Sequence, residues 1–163
     1  MSDPSVRPID FTRDSASLQA FLPERDRMRL EHSQAAVEAG DAYIYVADDG
    51  GTPIGWAIVH VAYRDDQDWE PDSDTMKFQQ GDNAYLENIE VTARQRSRGL
   101  GTKLLQAIEE EARKRGKKHV WLHSSENNAL AHRVFEREGW KHETTVAPGW
   151  RSGERMRVYK RDL

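Results

Sequence analysis

The residues best suited to chemistry lie in one stretch, Glu90-Val91-Thr92-Ala93-Arg94-Gln95-Arg96-Ser97-Arg98-Gly99-Leu100-Gly101-Thr102-Lys103-Leu104-Leu105. It runs from a strand, through a basic turn, into an amphipathic helix. Glycines at 99 and 101 let an anion approach the main chain, and the first N–H groups of the helix and its dipole favour negative charge there. Arg96 and Arg98 add positive charge. The chemistry this predicts is the holding of a phosphate or pyrophosphate on backbone amides. Two familiar phosphate loops do not fit: Gly99-Leu100-Gly101 lacks a third glycine at the dinucleotide spacing, and no glycine stands five residues before Gly101-Thr102-Lys103 to make a Walker loop. An ordinary glycine turn with a solvated basic face has the same composition, so this stretch alone leaves both readings open.

Composition narrows the classes of protein that could carry such a loop. The 163 residues suit one domain spanning 1–163. With 37% hydrophobic and 32% charged residues, the chain is polar but has enough apolar side chains to fold. A net charge of −4 argues against nucleic acid as a partner. The absence of cysteine removes disulfides, thiolate metal sites and cysteine nucleophiles, and fits a cytoplasmic protein. The longest apolar run, near Ala57 to Ala62, is broken by His60, so no membrane association is expected. The six histidines show no metal-ligand spacing, and no metal is expected.

The elements that must position the loop can be read from periodicity and punctuation. Val6 to Phe11 reads as a strand, Ser15 to Leu22 and Glu24 to Ala39 as helices, and Ala42 to Ala47 with Ile54 to Ala62 as a hairpin turning at Asp49-Gly50-Gly51. Residues 64 to 84 show no period and carry Asp65, Asp66, Asp68, Glu70, Asp72 and Asp74, which predicts a long acidic loop. Tyr85 to Thr92 is a strand, and Leu100, Leu104, Ile108 and Ala112 repeat every four residues on a helix that Gly116 closes. Lys118 to Ser124 follows as a strand, Asn128 to Glu138 as a helix, and Lys141 to Val146 and Arg155 to Lys160 as closing strands.

Arg96-x-x-Gly99-x-Gly101 resembles the pyrophosphate-binding signature of the GNAT superfamily of acetyl-CoA dependent N-acetyltransferases. A second block, Asn128-x-x-Ala131-x-x-x-Phe135-Glu136-x-x-Gly139-Trp140, resembles the following helix of that family, in the expected order and separation. The resemblance covers roughly residues 85 to 140. It implies an α/β (α+β) fold: a mixed, mostly antiparallel twisted sheet of six to seven strands, flanked by about four helices. The sheet would be splayed between the strands at 85 to 92 and 118 to 124, with acetyl-CoA as cosubstrate in the gap. It further implies that the pyrophosphate rests on Arg96, Ser97, Arg98, Gly99, Leu100, Gly101 and Thr102, that the backbone at Val91 and Ala93 pairs with pantetheine, and that Asn128 helps hold the cofactor arm. From the residues alone, Asn128 serves equally well as a helix N-cap.

Acetyl transfer to an amine needs a free lone pair, whereas a lysine-like ammonium has a pKa of about 10.4, so a proton must be removed. Glu87 and Glu90 are the available carboxylates, and strict alternation would put them on opposite faces, Glu87 with Tyr85, Ile89 and Val91, unless a bulge intervenes. Several small-molecule members of the resembled family carry an acid four positions before the valine matched by Val91. That makes Glu87 the expected base or amine anchor. Phe135 replaces the tyrosine that usually protonates the departing thiolate, leaving water, Ser124, Ser125 or His132 as substitutes, while Phe135 itself fits a core stripe. The acidic loop, with Trp69, is expected to rim the acceptor mouth. The acceptor expected is a small cationic amine, and the protein a monomer or homodimer. A protein N-terminal or lysine acetyltransferase and a non-catalytic acetyl-CoA binding module are the alternatives.

Overall fold

A computed structural model of the protein describes residues 4–64, 77–92, 99–147 and 153–163, apart from the side chains of Phe21 and Arg25. Its strands are β1 (Ser5–Pro8), β2 (Ala42–Asp49), β3 (Thr52–His60), β4 (Asn83–Val91), β5 (His119–Ser125), β6 (Lys141–Val146) and β7 (Met156–Asp162). They form one seven-stranded sheet in the order β1-β2-β3-β4-β5-β7-β6. Every neighbouring pair is antiparallel except β4 with β5. Four helices lie among the described residues, α1 (Phe11–Phe21), α2 (Glu24–Glu38), α3 (Leu100–Lys114) and α4 (Ala129–Arg137). The expected mixed, mostly antiparallel sheet and flanking helices are therefore present. No helix among the described residues is long and apolar enough to cross a membrane.

The sheet is buried on both faces at its centre, which is why β3 reads as an apolar run rather than an alternating one. Trp56 and Ile58 join Ile44 and Val46 beneath Leu18 of α1, Leu22 just after it and Leu30 of α2. Ala57 and Val59 point the other way, with Leu86, Val120 and Leu122, against Leu104, Leu105 and Ile108 of α3 and Phe135 of α4. Tyr43 Oη donates to the Ile108 carbonyl at 2.6 Å, fixing α3 on this face. The far end of α3 closes as a Schellman motif, with Gly116 at φ 78°, Gly116 N donating to Arg113 O and Lys117 N to Ala112 O. Gly50 and Gly51, at φ 63° and 98°, make the tight β2–β3 turn.

The first strand is shorter and the first helix longer than the sequence predicts. Asp10 caps α1 by accepting from Arg13 N, and the Asp14 carboxylate is held by Arg7 at 2.8 Å on both oxygens. That ion pair, formed across seven residues, starts the helix at Phe11 instead of Ser15.

One ammonium ties the two ends of the β3–β4 connection. Lys117 Nζ donates to Val61 O at 2.8 Å and Gly81 O at 2.6 Å, and burial pulls it below the ordinary lysine pKa. Lys117→Met leaves both carbonyls without this donor. The expected cost is about 1–2 kcal/mol, or roughly 2–8 °C in Tm for a domain of this size. An unchanged Tm in a thermal melt would show that the clamp contributes nothing.

Candidate active site

The site begins where two strands part. β4 and β5 pair through Asn83↔His119, Ala84↔Val120 and Tyr85↔Trp121, and no later pair joins them among the described residues. Beyond that point β4 is held by β3 as far as Val91 and β5 by β7 as far as Ser125. A gap therefore opens between Leu86–Val91 and Leu122–Ser125, at the place the sequence predicts. Tyr85 Oη and His123 Nδ1 meet across its closed end at 2.9 Å. Phe78 stacks on Trp121 beside them, with ring centroids 4.2 Å apart.

A β-bulge governs the side chains of β4. Val59 pairs with Leu86 but Ile58 pairs with Asn88, so Glu87 is one residue extra relative to β3. The extra residue inverts the alternation beyond it. Ile89 and Val91 turn towards the α3 face and pack on its core, while Glu90 comes opposite Trp56, on the α1–α2 face. Glu87 keeps to that same face, where its Oε2 lies 3.2 Å from Nε2 of His60. The expectation that Glu87 lies with Ile89 and Val91, opposite Glu90, thus fails because the ladder slips by one residue; both carboxylates share a face. Thr92 N donates to Ile54 O on β3, so by alternation the Val91 peptide is directed to the β5 side, where pairing has ended.

Across the gap, on the α3 face, the glycines behave differently from each other. Gly99, at φ 74°, is the N-cap residue of α3 and needs glycine for its backbone. Gly101 does not have a positive φ, yet a Cβ added at either residue would meet nothing within 4 Å. Open space therefore adjoins the first turn, whose N–H groups at Leu100, Gly101 and Thr102 have no intrahelical acceptor. Among the described residues no side chain caps this helix and no acid belongs to its first turn, where the helix dipole favours an anion. Thr102 Oγ1 donates to Glu138 Oε1 at 3.1 Å, which turns the hydroxyl towards the end of α4. Asn128 is the N-cap of α4: its Oδ1 accepts from Ala131 N at 3.2 Å. Ala93, Arg96, Ser97 and Arg98 lie outside the described residues, as do Trp69 and the acidic stretch from Asp65 to Asp74.

Phe135 is a core residue, with Trp140 and Tyr159 at ring distances of 5.9 and 5.6 Å. His132, one turn earlier, is buried, and that burial pushes its imidazole below the ordinary histidine pKa, so it is neutral at pH 7. Its Nε2 has no hydrogen-bond partner. Burial raises the Tyr159 phenol, which accepts from Arg157 and donates to Glu136. Among the described residues no cluster of His, Asp and Glu could hold a metal ion.

Sequence reasoning did not associate His60 with Glu87. The signal was present, since His60 is a titratable residue interrupting an otherwise apolar strand, but its partner is 27 residues away.

The model of the acetyltransferase (GNAT) family matches residues 9–140. No curated protein matches significantly. The fold is similar to that of a protein assigned to the GNAT acetyltransferases from Desulfovibrio desulfuricans, with TM-score 0.76, 18% identity, and 98% of this chain and 99% of that chain covered. It is also similar to the ribosomal-protein-S18-alanine N-acetyltransferase of Escherichia coli, with TM-score 0.70, 19% identity, and 99% and 94% covered. A protein assigned as a streptothricin acetyltransferase from Bacillus anthracis, in complex with acetyl coenzyme A, gives TM-score 0.60 at 20% identity over 76% of this chain and 63% of that one. With the family model spanning most of the sequence and the splayed sheet in place, the chain belongs to the GNAT family of acetyltransferases.

Proposed function

We propose that this acetyltransferase moves the acetyl group of acetyl-CoA to the primary amine of a small cationic compound, by direct attack within a ternary complex. The observation that carries the reading is the gap between β4 and β5, which has the open glycine turn of α3 on one face and the Glu87 carboxylate on the other. The N–H groups of Leu100, Gly101 and Thr102 would hold the pyrophosphate, with Arg96, Ser97, Arg98 and Gly99 completing the loop. The backbone of Val91 and Ala93 would pair with the pantetheine arm, and Asn128 would border it while capping α4. When bound, acetyl-CoA supplies an activated acetyl thioester. Glu87 takes the proton that the acceptor ammonium must lose, directly or through a water molecule, and its negative charge draws the cation in. Glu90, on the same face, adds to that attraction.

Similarity to both a small-molecule and a ribosomal-protein acetyltransferase makes the acceptor the point to test. Release of the coenzyme A thiol, followed with a panel of polyamines, aminoglycoside-like amines, amino-acid derivatives and peptides, is expected to be fastest with a small polycation. Turnover confined to peptides would identify a protein acetyltransferase, and no release with any amine would leave a binding module.

A further inference from the structure

His60 is the last residue of a strand in which every neighbour from Pro53 onward is buried, and it is itself only 6% exposed. An imidazole in such a position costs stability unless its polar atoms are used. One of them is used: Nε2 lies 3.2 Å from Glu87 Oε2, with the two side chains 7% and 9% exposed. An ionised carboxylate only accepts, so this bond requires the proton on Nε2. Nδ1 is buried and has no hydrogen-bond partner. A residue chosen for packing alone would be aliphatic here, like Ile58 and Val59 before it. The single use to which the ring is put is the presentation of one N–H to Glu87. The bulge explains the need, because Glu87 is the extra residue against β3 and a side-chain bond supplies orientation that strand register does not.

We propose that His60 is a positioning residue for acetyl transfer: its Nε2–H group fixes the Glu87 carboxylate in the bulge, in the orientation from which it takes the proton of the acceptor amine. The inference rests on the reading of Glu87 as the base. Among the described residues, the other titratable side chains on this part of the sheet include Tyr85 and His123, bonded to each other, and Glu90 opposite Trp56.

A double-mutant cycle tests it. His60→Leu is expected to lower kcat about tenfold or more while leaving KM for acetyl-CoA unchanged, and His60→Gln, which retains an N–H donor, should recover most of the loss. In a Glu87→Gln background, His60→Leu should cost nothing further. An equal loss in both backgrounds, or a His60→Leu enzyme of full activity beside a crippled Glu87→Gln enzyme, overturns the role of His60 and spares that of Glu87. Full activity of Glu87→Gln overturns the base itself, and the positioning role with it. The Gln variant guards against misfolding, since a loss in His60→Leu that Gln fails to rescue also counts against the proposal.

Discussion

Glutamine in place of Glu87 is expected to lower turnover at neutral pH by about 100-fold, the lower end of what a positioned general base contributes. Glutamine keeps the size of the side chain and its place beside His60 but cannot accept a full proton. Glu90→Gln should cost far less. The two carboxylates share a face, so the difference arises from place: Glu87 stands in the bulge with an imidazole behind it, and Glu90 three residues on, opposite Trp56. Raising the pH should restore part of the lost activity, because an acceptor amine with a pKa of about 10.4 then arrives increasingly deprotonated and needs no base. Steady-state rates of thiol release between pH 6.5 and 9.5, for wild type and both variants, decide the matter. Superimposable profiles for wild type and Glu87→Gln would eliminate Glu87 as the base.

A methyl group at residue 101 should act in opposite directions on the free protein and on cofactor binding. In the free protein, Gly101 sits in the first turn of α3 without a positive φ, and an added Cβ touches nothing. Glycine there costs up to about 1 kcal/mol relative to alanine, so Gly101→Ala is expected to raise Tm by roughly 2–4 °C. On the proposed reading the same methyl occupies the space through which the pyrophosphate would reach the N–H groups, and acetyl-CoA affinity should fall tenfold or more, with Gly101→Val weaker still. Calorimetric titration of both variants, alongside melts without ligand, measures the two effects separately. A folded Gly101→Val protein with wild-type affinity would remove the cofactor from this turn. Gly99 offers no such separation, since its φ of 74° makes any side chain costly to the fold itself.

Much of this architecture is written locally. The four-residue repeat of Leu100, Leu104, Ile108 and Ala112 fixes the buried face of α3, Gly116 ends it, and paired glycines mark the β2–β3 turn; each signal lies within a few residues of the element it sets. The family motifs locate the splay for the same reason. What could not be read depends on register between distant segments. Whether Glu87 and Glu90 share a face turns on one slipped pairing against Ile58 and Val59, and the contact of His60 with Glu87 exists only once β3 and β4 are side by side. The start of α1 likewise waits on Arg7 reaching Asp14 and Asp48 from another strand. Asn128 had two readings in sequence, and its side-chain Oδ1, accepting from Ala131 N, realises the cap.

The lysine that clasps the carbonyls of Val61 and Gly81 makes residues 61–81 a segment closed at its own base. Its neighbours reinforce the closure, with Arg64 on Asp41 at 2.8 Å and Lys118 on Asp82 at 3.6 Å. In a chain so fastened, lengthening the stretch between the anchors costs little, about 0.6 kcal/mol for each doubling of its length. β4 still departs from the same anchored corner, with its bulge and its carboxylate undisturbed. A segment anchored in this way tolerates a change of length without renegotiating how β3 and β4 pair, provided Phe78 keeps its place on Trp121.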